Sequence, residues 1–256
     1  MIKNILTIGL LVIFITLLTI MLLSKPTTRV YKININEEIY KDALVFDFNH
    51  SLDRNYWNIE ERGENYNEEL QYYHPNNIKV ENGFLKIEAR KENYNNHEYT
   101  SGLINTKGKF EFIYGKIIIR AKPAEGIGLL SAVWLLPANG YFYPEIDFIE
   151  ALGTKNKTWT GIHYLDTELK KQKNFVSFPT NNDFSIYELH WEENQIKVYV
   201  DNELKYKINK NVPAEEMYLI INLAVGGVWP GEPDIEALPA NFLIDYIIVM
   251  PNVVSK

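Results

Sequence analysis

Asn77-Ile-Lys-Val-Glu-Asn-Gly-Phe-Leu-Lys-Ile-Glu88 alternates apolar and polar residues on either side of Asn82-Gly83. Alternation with a period of two marks a strand with one buried face. Asn-Gly supplies the two positive φ angles of a type I′ turn, so the stretch predicts a β-hairpin. Gln195-Ile-Lys-Val-Tyr-Val-Asp-Asn-Glu-Leu-Lys-Tyr206 repeats the arrangement around Asp201-Asn202. Tyr114-Gly-Lys-Ile-Ile-Ile-Arg120 and Leu219-Ile-Ile-Asn-Leu223 predict buried strands, and Phe242-Leu-Ile-Asp-Tyr-Ile-Ile-Val249 predicts the strand that closes the domain. Only Pro213-Ala-Glu-Glu-Met217 reads as helical, for a single turn. Short alternating segments punctuated by turn residues, from about Tyr31 onward, predict an all-β domain over residues 31–256, most economically one sandwich of two packed antiparallel sheets.

Composition narrows the chemistry. The 256 residues contain no cysteine, which excludes thiol catalysis, zinc–thiolate sites and disulfides. A net charge of -7 offers no basic stripe for phosphates, so nucleic acid is not an expected partner. The five histidines, at 50, 74, 97, 163 and 190, show neither i, i+2 nor i, i+4 pairing, and no phosphate-cradling glycine loop or G-x-S-x-G turn is present. Aromatic residues reach 13%, with 17 Tyr and 5 Trp. Strand preference and a sugar-stacking surface account for that excess equally well.

Residues 5–23 carry no charge and follow Lys3. Their length lies between a signal-peptide core and a membrane span. Residues 1–30 therefore predict an N-terminal hydrophobic helix, either a cleaved signal or an uncleaved membrane anchor. The rest of the chain would be secreted or held on the outer face of the membrane.

Glu145-Ile-Asp-Phe-Ile-Glu150 holds the densest chemistry. In a strand Glu145 and Asp147 share a face, whereas Glu150, an odd number of steps from Glu145, would join the isoleucines. One extra residue at Phe148-Ile149, a β-bulge, returns Glu150 to the acidic face. Two carboxyl groups converging on one bond are what glycoside cleavage requires.

The chain resembles glycoside hydrolase family 16, and within it the laminarinase-like endo-β-1,3-glucanases. The resemblance rests on Glu69-Leu-Gln-Tyr-Tyr, Tyr99-Thr-Ser-Gly, Asn105-Thr-Lys-Gly-Lys-Phe, Val133-Trp-Leu-Leu-Pro137, the acidic motif, Gly161-Ile-His-Tyr164 and Asn222-Leu-Ala-Val-Gly-Gly-Val-Trp-Pro-Gly231. It implies a jelly-roll sandwich with a concave substrate cleft. It also implies Glu145 as nucleophile, Glu150 as general acid/base and Asp147 as the residue that orients and tunes them. Trp134 and Trp229 are implied as sugar platforms and His163 as a cleft histidine, with Tyr143, Asn49 and Asn222 as further substrate-binding candidates. The implied partner is a β-1,3 or mixed β-1,3/1,4 glucan, cleaved with retention by a monomeric enzyme that requires no cofactor. A structural calcium recurs in the family, and Asp245 is the candidate ligand. Leu103 stands where an arginine is usual, Val133 where a phenylalanine is usual, and Pro144 replaces a glycine. These departures leave other β-linked polysaccharides and transglycosylation open as alternatives. A non-catalytic glucan-binding lectin is the alternative outside enzymes, disfavoured by three retained acids.

Overall fold

The computed structural model describes residues 43–153, 157–179 and 183–252. The N-terminal hydrophobic segment expected over residues 1–30 lies outside the described residues. Among the described residues no helix is long and apolar enough to cross a membrane.

The chain is a sandwich of two sheets, as the alternation predicts. One sheet runs, edge to edge, through Lys171–Pro179, Lys157–Leu165, Glu145–Leu152, Leu129–Pro137, Met217–Val225, Leu103–Asn105 and Asn58–Ile59. The other runs through Glu203–Ile208, Gln195–Val200, Ser185–Glu192, Gly115–Lys122, Ala240–Pro251, Phe84–Tyr94, His97–Ser101 and Gln71–Tyr73. Leu44–Phe46 adds to Ala240–Pro251, and Ile78–Glu81 adds to Phe84–Tyr94. Both predicted hairpins form. Asn82 and Gly83 have φ of 55° and 78°, and Asp201 and Asn202 have 49° and 68°, as a type I′ turn demands.

Between the sheets, Ile117, Ile119, Leu189 and Ile244 of the second sheet meet Val133, Leu135, Phe148 and Ile221 of the first in one continuous core. Met217–Val225 is buried along its whole length, because its even-numbered residues are covered too. Tyr218 and Ile220 pack with Tyr73, Leu103, Leu136 and Trp134 on the outer face, and Ala224 packs with Leu130, Leu152 and Trp159. Around Met217–Val225 the first sheet is therefore covered by apolar side chains on both faces.

Two expectations are corrected. Pro213–Met217 makes no helical turn; residue 217 already begins a strand, and the described helical content is two 3₁₀ turns, Pro75–Asn77 and Ile235–Ala237. Eight residues separate the strand end at Ile208 from the strand start at Met217, too few to repay helix nucleation. The sheets are also not wholly antiparallel, since Gln71–Tyr73 runs parallel to His97–Ser101.

Candidate active site

Glu145–Leu152 lies between Lys157–Leu165 and Leu129–Pro137, and its register slips against both neighbours between Asp147 and Glu150. Phe148 and Ile149 are consecutive yet both fully buried in the main core. Two residues thus occupy one inward step, and Glu150 returns to the outer face with Glu145 and Asp147. This is the bulge that parity requires. The bulge interrupts the ladder at Asp147, and the Thr160 hydroxyl donates to the Asp147 carbonyl at 2.9 Å, so the backbone acceptor stays satisfied.

Glycine at 161 shapes the floor beside Asp147, its partner in register. A Cβ there would lie 2.2 Å from the Asn174 carbonyl oxygen and 2.6 Å from Cγ of Phe175. Only hydrogen lets the Phe175 ring close over this strand, where it meets the His163 ring edge-on at 4.9 Å between centroids.

Crowding three acids on a half-dry face has the expected electrostatic cost. Burial pushes Glu145 up to about 7, and a hydrogen bond from Asp147 moderates the rise. Burial and the Glu145 charge push Glu150 up to about 8, with Lys173 opposing. Asp147, enclosed and facing both glutamates, is raised well above the usual carboxylate range by burial and then by their charges. It holds its proton and donates to Glu145. His163 is held below its ordinary value by burial and by Lys173 and Lys171, which keeps the ring neutral at pH 7.

Raised carboxyl pKa values weaken the fold. Between the ordinary value of 4.5 and about 8, Glu150 is more protonated folded than unfolded, so stability falls as pH rises through that window. Glu150→Gln is expected to raise Tm at pH 8.5 and to leave it nearly unchanged at pH 4. A domain of this size moves roughly 2–4 °C per kcal/mol. Thermal unfolding followed by circular dichroism at the two pH values is the check, and equal Tm at both would contradict the burial argument.

The aromatic candidates fall on the same outer face. Trp134 is the register partner of Asp147, and its Nε1 donates to Asn222 Oδ1 at 2.8 Å. Asn222 in turn donates through Nδ2 to the Tyr73 hydroxyl at 3.0 Å, which faces Glu69 Oε2 at 3.4 Å. Asn222 is buried, and these two bonds hold it between the Trp134 ring and Tyr73. Arg62 lies over the Tyr73 ring at 5.3 Å, and Tyr73 packs with Leu103, the residue that replaces the expected cleft arginine. Tyr73→Phe removes the acceptor that fixes Asn222. A neutral hydrogen bond is worth about 0.5–1.5 kcal/mol, so the substrate KM is expected to rise about 2- to 10-fold with kcat unchanged. Steady-state kinetics checks this, and a fall in kcat alone would contradict it.

Trp229 stands 38% exposed in the loop after Met217–Val225 and meets Trp159 edge-on at 5.2 Å. Trp159 is the register partner of Glu150, and the sequence reading missed it. The parity of Trp159, Gly161 and His163 was the available signal. Glu69, the carboxyl raised by burial at the far end of the Tyr73 chain, was missed as a chemical group as well. Tyr143 sits beside His163, ring centroids 6.4 Å apart, with Lys171 Nζ 5.5 Å from its own ring. Asn49 is placed elsewhere: its amide donates to Asp47 Oδ2 at 2.7 Å, its side chain neighbours Gly83 of the first hairpin, and among the described residues no contact joins it to the acids. Asp245 does not fit calcium, because Arg120 Nη1 is 2.5 Å from its Oδ2 and already supplies a fixed positive charge there.

Comparison with known proteins agrees with this geometry. The sequence profile of "Glycosyl hydrolases family 16" matches residues 65–247. A β-glucanase of Rhodothermus marinus is 33% identical over 237 residues, covering 80% of this chain and 82% of that protein. Glucan endo-1,3-beta-glucosidase A1 of Niallia circulans is 35% identical over 219 residues, which are 72% of this chain and 32% of that longer protein. The crystal structure of the laminarinase catalytic domain from Thermotoga maritima superposes with a TM-score of 0.73 at 33% identity, covering 82% of this chain and 97% of that one.

Proposed function

The chain belongs to glycosyl hydrolase family 16, and from that premise we propose that it is a retaining endo-β-1,3-glucanase that also admits mixed β-1,3/1,4 glucan. The bulge at Phe148-Ile149 carries the reading, because it returns Glu150 to the face of Glu145 and Asp147. Glu150, the more proton-retentive glutamate, protonates the leaving glycosidic oxygen while the Glu145 carboxylate attacks the anomeric carbon. Glu150 then takes a proton from the water that hydrolyses the glycosyl ester. Asp147, kept protonated by burial, steadies the Glu145 carboxylate through its hydrogen bond. Trp134 flanks the acids on one neighbouring strand, and Trp159, with Trp229 against it, on the other. A sugar chain crossing the sheet is thus held on both sides of the cleaved bond, which favours internal cleavage in a concave cleft.

A polysaccharide too large to cross a membrane requires an enzyme that faces outward. That supports reading residues 1–30 as an export signal or anchor on a monomeric, cofactor-independent enzyme. Reducing-sugar release from laminarin, lichenan, agarose and carrageenan is the test. Oligosaccharides from laminarin and lichenan are expected. Binding to laminarin without product would replace the hydrolase by a lectin.

A further inference from the structure

We propose that Glu145, Asp147 and His163 form a transition-metal site, and that a zinc ion held there excludes the sugar. One oxygen of each carboxyl group and one imidazole nitrogen lie within 4.8 Å of one another. His163 Nε2 and Asp147 Oδ2 are 3.8 Å apart. The ligand–ligand edge of a tetrahedral zinc with bonds near 2.0–2.1 Å is about 3.3 Å, so small side-chain rotations close the cage.

The independent sign of a ligand is Asp147 Oδ2. Asp147 is 2% exposed, and this oxygen has no hydrogen-bond partner among the described residues. Buried acceptors in native proteins almost always meet a donor, an ordered water or an ion. Here the open side of the atom faces the imidazole of His163. Two carboxyl groups, with Asp147 releasing its proton as the metal binds, and one imidazole suit zinc, whereas magnesium and calcium take all-oxygen sets. Lys173, paired in register with His163, is the cation such an ion would face, and it limits the affinity.

The site differs from the hydrolytic reading in what it binds, although it uses two of the same acids. Zinc binding stands on the geometry alone, and exclusion of sugar rests on the proposed function. Zinc chloride titrated calorimetrically into the full chain is expected to bind, and magnesium chloride is not. His163→Ala and His163→Gln are expected to weaken zinc binding more than about tenfold, since losing even an outer partner of a ligand costs 10–100-fold. Four other histidines exist, so the difference between wild type and variants is the reading that matters. Circular dichroism confirms that the variants fold. In the active protein, zinc should inhibit laminarin hydrolysis competitively, and chelator should restore it. Zinc affinity equal in wild type and both variants, or no binding up to millimolar zinc, overturns the site. Binding that leaves hydrolysis untouched overturns the exclusion of sugar. An inactive protein that still binds zinc through His163 faults the hydrolase reading and upholds the metal site.

Discussion

Glu145→Gln and Glu150→Gln are each expected to leave a folded protein that no longer releases sugar from laminarin. The two losses should differ in kind. General acid–base assistance is typically worth 10²–10⁴-fold, so Glu150→Gln is expected to lower kcat by about that factor. The loss should shrink on an aryl β-glucoside oligomer whose phenolate leaves without protonation. Glu145→Gln removes the attacking atom itself, and no leaving group should rescue it. Removing the Glu145 charge also removes a cause of the raised Glu150 pKa, so Glu150 in that variant should titrate lower. Steady-state kinetics on both substrates is the check. Equal rescue of both variants would contradict the division of roles.

The second large effect concerns the bulge. Phe148 and Ile149 occupy the same inward step and are fully buried. Phe148→Ala should cost about 3–5 kcal/mol, the usual loss for a buried phenylalanine, and lower Tm accordingly. With half its anchor gone, the bulged backbone can relax toward regular alternation, which turns Glu150 inward. Activity should therefore fall well beyond the unfolded fraction when assayed below Tm, and Phe148→Leu should retain more of both. Denaturant unfolding beside kinetics measures the two effects. Wild-type kcat in a destabilised Phe148→Ala would show that the bulge does not depend on this side chain.

The fold was legible where local chemistry decides it. Asn82-Gly83 and Asp201-Asn202 name their turns, because few other pairs tolerate two positive φ angles. The bulge was legible for a related reason. Strand parity would have placed Glu150 in the core, and a buried unpaired carboxylate is too costly to leave there. Pairing between distant strands was not legible. Parity gives the face of Trp159 but not its place beside Glu150, which comes from the register of adjoining strands, and Tyr73 meets Asn222 through a side-chain hydrogen bond across 149 residues of chain. Asn222 was read from its motif as a sugar contact, and its bonds to Trp134 and Tyr73 were not legible there. Asp245 shows the same limit, since nothing local announces that Arg120, 125 residues earlier, is its counter-ion.

The family assignment and the electrostatics point the same way for independent reasons. A family resemblance alone would be compatible with a chain that had lost its chemistry. Three acids with raised pKa values, one donating to another, retain a proton to give and a carboxylate to attack with. A binding surface gains nothing from such unfavourable crowding.

Covalent trapping puts the matter most directly. Incubating the protein with a 2-fluoro-substituted β-laminaribiosyl fluoride slows breakdown of the glycosyl ester, and peptide mass spectrometry then locates the adduct. A single adduct on Glu145 is the predicted result. An adduct on Asp147 or Glu150, or none in a preparation that hydrolyses laminarin, would contradict the account.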